Sequence, residues 1–130
     1  MNSSEPKKIV IVEDEPDTAE MFAEMMRLSG YEVLKSYGGT PAIALIAAQK
    51  PDAVVLDVMM PDLSGLEVLR FIRRDPRLAH IPVVVVSAKS LPSDIRDGLE
   101  AGASAYLTKP VAFQDLNAAV RDSIQAAQGE

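Results

Sequence analysis

Four apolar runs in this chain each end in residues able to do chemistry. KIVIV runs into Glu13 and Asp14, AVVL into Asp57, VVVV into Ser87, and AYLT into Lys109 and Pro110. Taken singly, each has an ordinary explanation. An acidic pair caps a helix and favours its dipole. An Asp or a Lys-Pro pair ends a strand in a turn, and a serine hydroxyl bonds within its own loop. Taken together they pose an electrostatic problem. Three carboxylates gathered at one edge repel each other, by energies that matter even at an effective dielectric of about 20, so they require a cation. The chain has no cysteine, and its one histidine, His80, sits in a loop beside Ile81 and Pro82 with no partner for metal or base chemistry. All-oxygen ligation points to Mg²⁺, which takes one or two carboxylates, keeps waters and completes its shell with a phosphate oxygen. Lys109 then adds a second positive charge, and Ser87 a hydroxyl, for the other oxygens of a transferring phosphoryl group. Asp57 is the natural nucleophile in such a set.

These residues act together only if the fold brings the ends of four runs to one edge. Lys8 to Val12 is short and β-branched, as suits a strand buried on both faces. EDEPD opens a helix in which Ala19, Phe22, Ala23 and Met26 fall at i, i+3, i+4 and i+7, and Gly30 stands where a left-handed terminal residue belongs. Tyr31 to Ser36 is expected to be a second strand. Thr40 before Pro41 reads as the N-cap of a helix running to about Lys50. Ala53 to Leu56 is a third strand, and Ser64 with Glu67 has the spacing of a capping box for a helix carrying Val68, Phe71 and Ile72. Pro82 to Val86 is a fourth strand, followed by a helix from Pro92 to Ala101 that Gly98 weakens. Ala105 to Thr108 is a fifth strand. Phe113, Leu116, Val120, Ile124 and Ala127 mark the apolar face of a last helix, and Met25, Met26, Met59 and Met60 read as core or rim packing.

Continuous apolar strands alternating with helices imply a parallel sheet covered on both sides, a doubly wound α/β sandwich. In such a sheet the ligand site lies outside the carboxyl ends of the strands, where the polar residues collect. With 130 residues, 48% of them apolar and 25% charged, the chain is expected to be one globular domain with its core from about 8 to 127. Its net charge of -6 argues against direct nucleic-acid binding, which draws on clustered Lys and Arg. MNSSEPKK lacks the apolar centre of a signal peptide and no run is long enough to cross a bilayer, so a soluble cytoplasmic protein with no membrane contact is expected.

The acidic pair inside IVEDEPD, Asp57 inside VVLDVMMPDLSG, Ser87-Ala88 inside VVVVSAKS, and Tyr106 with Lys109-Pro110 inside GASAYLTKP form a set. The chain that carries it resembles a response-regulator receiver domain of two-component signalling, over nearly its whole length. The resemblance implies a CheY-like, flavodoxin-like sheet with five parallel strands in the order 2-1-3-4-5. It implies that Asp57 accepts a phosphoryl group from a phosphohistidine of a sensor histidine kinase or phosphotransfer protein. Asp14 and Asp57, with the backbone carbonyl of Met59, would hold Mg²⁺. The first acid of the pair is usually Asp; here it is Glu13, one methylene longer, which is expected to reach the metal through water. Lys109 would bind the phosphoryl group, across a cis bond to Pro110. Ser87 would move to a phosphoryl oxygen and Tyr106 would swing inward behind it. An output protein would read the change on the fourth helix, fifth strand and last helix. In receivers the side chains two positions after the acceptor and two after the hydroxyl residue flank the path of hydrolytic water; here they are Met59 and Lys89. Such a domain is a switch rather than an enzyme, since it catalyses only its own phosphorylation and dephosphorylation.

Other readings meet particular residues. A flavin carrier of the same strand order needs a first loop that cradles phosphate, and EDEPD repels it. An aspartate-nucleophile phosphatase wants an acid two residues after the nucleophile, where this chain has Met59. A receiver-like scaffold that is never phosphorylated, or the receiver portion of a larger regulator or hybrid kinase, are the remaining alternatives.

Overall fold

In a parallel sheet covered by helices on both sides, successive side chains of a buried strand enter opposite layers, so both must be apolar. The computed structural model, which describes residues 5–129, shows this division strand by strand. Val10, Val12, Val54, Leu56, Val83 and Val85 enter one layer; Ile9, Ile11, Ala53, Val55, Val84 and Val86 enter the other. The start of the MNSSEPKK stretch and Glu130 lie outside the described residues.

The elements alternate along the chain: β1 (Lys8–Val12), α1 (Pro16–Leu28), β2 (Glu32–Ser36), α2 (Gly39–Gln49), β3 (Ala53–Leu56), α3 (Gly65–Arg74), β4 (Val83–Ser87), α4 (Pro92–Glu100), β5 (Ala105–Thr108) and α5 (Phe113–Ala127). The strands are parallel in the order β2-β1-β3-β4-β5. The register sets Val12 beside Leu56 and Ser87 beside Thr108, so the strands reach their carboxyl ends together. Ala42 and Ile46 of α2 and Val68, Leu69 and Ile72 of α3 fill the first layer. Ala19, Phe22, Ala23 and Met26 of α1, with Leu116, Val120 and Ile124 of α5, fill the second. No helix among the described residues is long and apolar enough to cross a membrane.

Several local expectations are corrected. Strand β2 begins at Glu32 rather than Tyr31, and β4 runs from Val83 to Ser87 rather than from Pro82, which has no N–H for the ladder. Helix α4 ends at Glu100, with Ala101 as its C-cap. Phe113 and Ala127 are exposed, because α5 carries both of its terminal residues past the apolar layer. Met26 and Met60 are buried, whereas Met59 is 52% exposed. Thr40 does not cap α2. The helix starts at Gly39, and the N–H groups of Gly39 and Thr40 donate instead to the Asp62 carboxylate, at 3.1 and 2.9 Å. Ser64 does cap α3, accepting from the Leu66 N–H at 3.2 Å, but the reciprocal Glu67 bond is absent among the described residues. Ser64→Ala is therefore expected to cost about 1 kcal/mol of stability. The check is a lower urea midpoint at an unchanged m-value.

Candidate functional site

The sheet's own hydrogen bonds place the polar residues. The Glu13 N–H donates to the Ser36 carbonyl at 3.0 Å, the Asp57 N–H to the Val12 carbonyl at 3.0 Å, and the Lys109 N–H to the Ser87 carbonyl at 2.9 Å. Each of these residues thus stands one step beyond its strand, where ladder bonds still fix the backbone and the side chain is released from the core. Helix α1 starts directly after the acidic pair, with Glu15 as N-cap accepting from the Thr18 N–H at 2.8 Å and Pro16 following. The chain therefore turns away immediately and leaves Glu13 and Asp14 at the edge. At the other strand end, a Cβ on Gly65 would stand 2.1 Å from the Asp57 carbonyl oxygen, so only glycine lets α3 begin this close beneath Asp57.

Glu13, Asp14 and Asp57 each offer a carboxylate oxygen within 4.8 Å of the others. Glu13 and Asp57 are buried, Asp14 partly exposed. The Lys109 Nζ ion-pairs with Glu13 Oε1 at 2.9 Å and stands farther from Asp57 Oδ2, at 3.8 Å. The second Glu13 oxygen accepts from the Glu15 N–H at 3.2 Å. Both Glu13 oxygens are thus engaged, while no hydrogen bond to the Asp14 carboxylate is present among the described residues. The extra methylene of Glu13 gives it the reach to hold Lys109.

Burial pushes the Asp57 carboxyl up to about 6, and the Glu13 charge adds to the rise; Lys109 and the Met59 N–H, which donates to Asp57 Oδ1 at 3.3 Å, pull the other way without offsetting it. One lysine facing three carboxylates leaves the cluster short of positive charge. The donors are all oxygen, and a hard divalent cation of the Mg²⁺ class fits them.

Around this cluster the other expected residues take defined places. Ser87 is fully buried, and its Oγ accepts from the Lys89 N–H at 3.0 Å. The partly buried Tyr106 donates its hydroxyl to the Lys89 carbonyl at 2.8 Å, tying β5 to the loop after β4. Its ring lies on Gly98 of α4, where a Cβ would come within 2.6 Å of a ring carbon. Gly98 costs helix propensity and in return seats the tyrosine. The peptide bond between Lys109 and Pro110 is cis. Met59 and Lys89 line one cleft of about 430 Å³, with Val58, Met60, Pro61 and Ser64. His80 is an exposed loop residue away from the acidic cluster. Asp62 was not singled out from the sequence, since a Pro-Asp pair reads as an ordinary turn.

The chain is similar to known proteins over most of its length. A family model described as response regulator receiver domain matches residues 9–121. The polar-differentiation response regulator DivK of Brucella anthropi is 35% identical over 106 residues, covering 82% of this chain and 86% of DivK. The phosphate regulon transcriptional regulatory protein PhoB of Pseudomonas aeruginosa is 38% identical, covering 88% of this chain but 50% of PhoB, so the chain spans about half the length of that relative. Among solved structures, the receiver domain of the sensor histidine kinase PA1611 from Pseudomonas aeruginosa PAO1 superimposes with a TM-score of 0.86 at 29% identity. The match covers 93% of this chain and 99% of that one, which holds a magnesium ion coordinated in its active site cleft. The receiver domain of the Francisella response regulator 1452 gives a TM-score of 0.86 at 27% identity, over 92% of this chain and 98% of the other.

Proposed function

We infer that this chain, which belongs to the response regulator receiver domain family, is a phosphoacceptor switch in which Asp57 takes a phosphoryl group from a phosphohistidine. The observation that carries the reading is the setting of Asp57: a buried carboxylate at the end of β3, crowded by Glu13 and Asp14 and faced by Lys109. A fold does not keep such a group for stability, since burying like charges together costs free energy.

In the transfer, an Asp57 oxygen forms a bond to phosphorus as the bond from phosphorus to the histidine nitrogen breaks, and the electron pair leaves with the imidazole. Asp14, Asp57 and the Met59 carbonyl are the groups that would hold Mg²⁺, with Glu13 acting through water. When bound, the ion draws negative charge from the phosphoryl oxygens and favours the ionised carboxylate. Lys109 releases Glu13 and turns to a phosphoryl oxygen, a shift that the 2.9 and 3.8 Å distances make short. Ser87 Oγ gives up the Lys89 N–H and donates to another phosphoryl oxygen. That rearranges the loop whose Lys89 carbonyl holds Tyr106, and so carries the charge change to α4 and β5. The donor is a sensor histidine kinase or phosphotransfer protein in the cytoplasm, and an output protein reads the face formed by α4, β5 and α5. Residues 1–130 act as one receiver domain.

The test is incubation with acetyl phosphate and Mg²⁺ followed by intact-protein mass spectrometry. Wild type is expected to gain one phosphoryl group and Asp57→Asn none; a full mass shift in Asp57→Asn would remove Asp57 from this role. Thermal unfolding gives a second check. At Mg²⁺ about ten times its dissociation constant, wild type is expected to gain about 1.4 kcal/mol through binding to the folded state alone. Asp14→Ala should lose most of that gain, and equal stabilisation of both proteins would place the metal elsewhere.

A further inference from the structure

Asp62 lies outside the acidic cluster, yet its carboxylate makes the only hydrogen bonds, among the described residues, that tie residues 59–63 to another helix. It accepts from the N–H groups of Gly39 and Thr40 at 3.1 and 2.9 Å. A helix N-terminus needs such acceptors, and this one takes them from the loop after Asp57 because Gly38 and Gly39 carry no side chain of their own. The two glycines are also what lets the loop approach. A Cβ on Gly38 would stand 2.9 Å from Asp62 Oδ2, and one on Gly39 would stand 2.7 Å from the Leu63 carbonyl oxygen. Gly38 has an extended backbone, so glycine is there for space rather than for an unusual conformation. The bonds from Thr40 and Gly39 hold the Asp62 carboxyl down at about 2, which keeps the clasp ionised across the neutral range.

The loop so held contains the parts of the site that no strand fixes. The Met59 N–H reaches back to Asp57 Oδ1 at 3.3 Å, and the Gly65 N–H closes the loop onto the Val58 carbonyl at 2.9 Å. Between these end ties Met59, Pro61 and Asp62 are exposed, Met60 and Leu63 pack on the core, and the Asp62 carboxylate makes the one hydrogen-bonded tie, among the described residues, to another element. We propose that Asp62 is a positioning residue of the phosphoacceptor site: by capping α2 from the acceptor loop, it fixes the backbone that presents the Met59 carbonyl and links the placement of α2 to that of the site. This rests on the reading of Asp57 and its neighbours given above. The linkage runs both ways, so occupation of the site steadies the cap as the cap steadies the site.

The experiment compares the 130-residue wild type, Asp62→Ala, Asp62→Asn and Asp52→Ala. Asp52 serves as a structural control, because its carboxylate accepts the Lys8 N–H at 2.7 Å at the opposite end of the sheet. Backbone amide shifts followed through a Mg²⁺ titration give the half-saturating concentration. Acetyl phosphate at saturating Mg²⁺ gives the phosphorylation rate, and amide exchange reports Gly39 and Thr40. In Asp62→Ala the half-saturating Mg²⁺ concentration is expected to rise about tenfold, as for loss of other groups that orient ligands from behind, and the phosphorylation rate to fall. Asp62→Asn, whose one amide oxygen can accept from only one of the two N–H groups, should fall between Asp62→Ala and wild type in both. In wild type, Mg²⁺ should slow exchange at Gly39 and Thr40. An Asp62→Ala protein that is less stable but keeps the wild-type Mg²⁺ midpoint and rate makes the cap purely structural and overturns the proposal. So does an Asp52→Ala protein whose midpoint rises equally. A wild type that takes up neither Mg²⁺ nor phosphoryl group overturns the reading of the site itself, and this proposal with it.

Discussion

Replacing Asp57 by Asn is expected to stabilise the metal-free protein by about 2 kcal/mol near neutral pH, and the gain is expected to disappear as the pH falls toward about 4. The cause is the rise of the Asp57 carboxyl from the ordinary 3.8 to about 6, through burial first and the Glu13 charge second. A group that binds its proton more tightly in the folded state favours folding fully below its unfolded value, and that contribution is lost as the pH rises through its folded value. Wild type should therefore lose stability between about pH 4 and 6 as Asp57 ionises, whereas Asn has no charge to develop. A shift of about two units corresponds to about 3 kcal/mol, which access of water to the open edge reduces to about 2. Asn keeps the shape and still accepts from the Met59 N–H, so little else changes. Urea unfolding of both proteins across this pH range, with a chelator present, measures the difference. A gain that is absent, or equal at both ends of the range, would mean that crowding does not govern the Asp57 carboxyl.

Such a cost near neutral pH marks a site kept for use rather than for stability, and it explains which parts of the molecule were legible in the amino-acid sequence. The strands were, because β1, β3 and β4 must be apolar on both faces. The stripe of Ala19, Phe22, Ala23 and Met26 was, because two successive helix turns carry its whole signal. The gathering of Glu13, Asp14, Asp57 and Lys109 was, because each follows an apolar run and the ends of parallel strands meet at one edge. What escaped depends on pairs far apart in the chain. Thr40 has the local signature of a cap, yet Asp62, 22 residues later, performs that role. Gly98 reads as a weak point in α4 until Tyr106 is seen lying on it. Glu13 was expected to differ from Asp only in its distance from a metal. Its length matters as much for the grip on Lys109 at 2.9 Å, a contact across 96 residues that no local pattern encodes.

The proposed phosphoryl group on Asp57 is expected to persist for many minutes, and Met59→Asn with Lys89→Glu to shorten its life about a hundredfold. Hydrolysis requires a water in line with the bond between Asp57 and phosphorus. Met59 and Lys89 line one cleft together with Val58, which follows Asp57 in the chain, and the proposal places both side chains along the approach of that water. Met59 is 52% exposed and has only a weakly accepting thioether, so it covers the approach without orienting a water. Lys89 carries a charged ammonium that donates only; it cannot take a proton from an attacking water, and it favours holding the phosphoryl oxygens in place. Its backbone is held from two sides, by Ser87 Oγ at the N–H and by the Tyr106 hydroxyl at the carbonyl. The side chain therefore projects from a fixed point. Asn at 59 supplies an amide that can orient water, and Glu at 89 supplies an acceptor while removing the cation. A hundredfold change requires only about 2.8 kcal/mol in the barrier, shared between two positions. The fraction phosphorylated is followed after removal of the small-molecule donor, with Mg²⁺ held constant, in wild type and the double variant. Decay of wild type within seconds would show that water reaches the bond despite Met59. A double variant that decays no faster would show that neither position controls the water, and the lifetime would then be set by the Lys109 and Ser87 contacts alone.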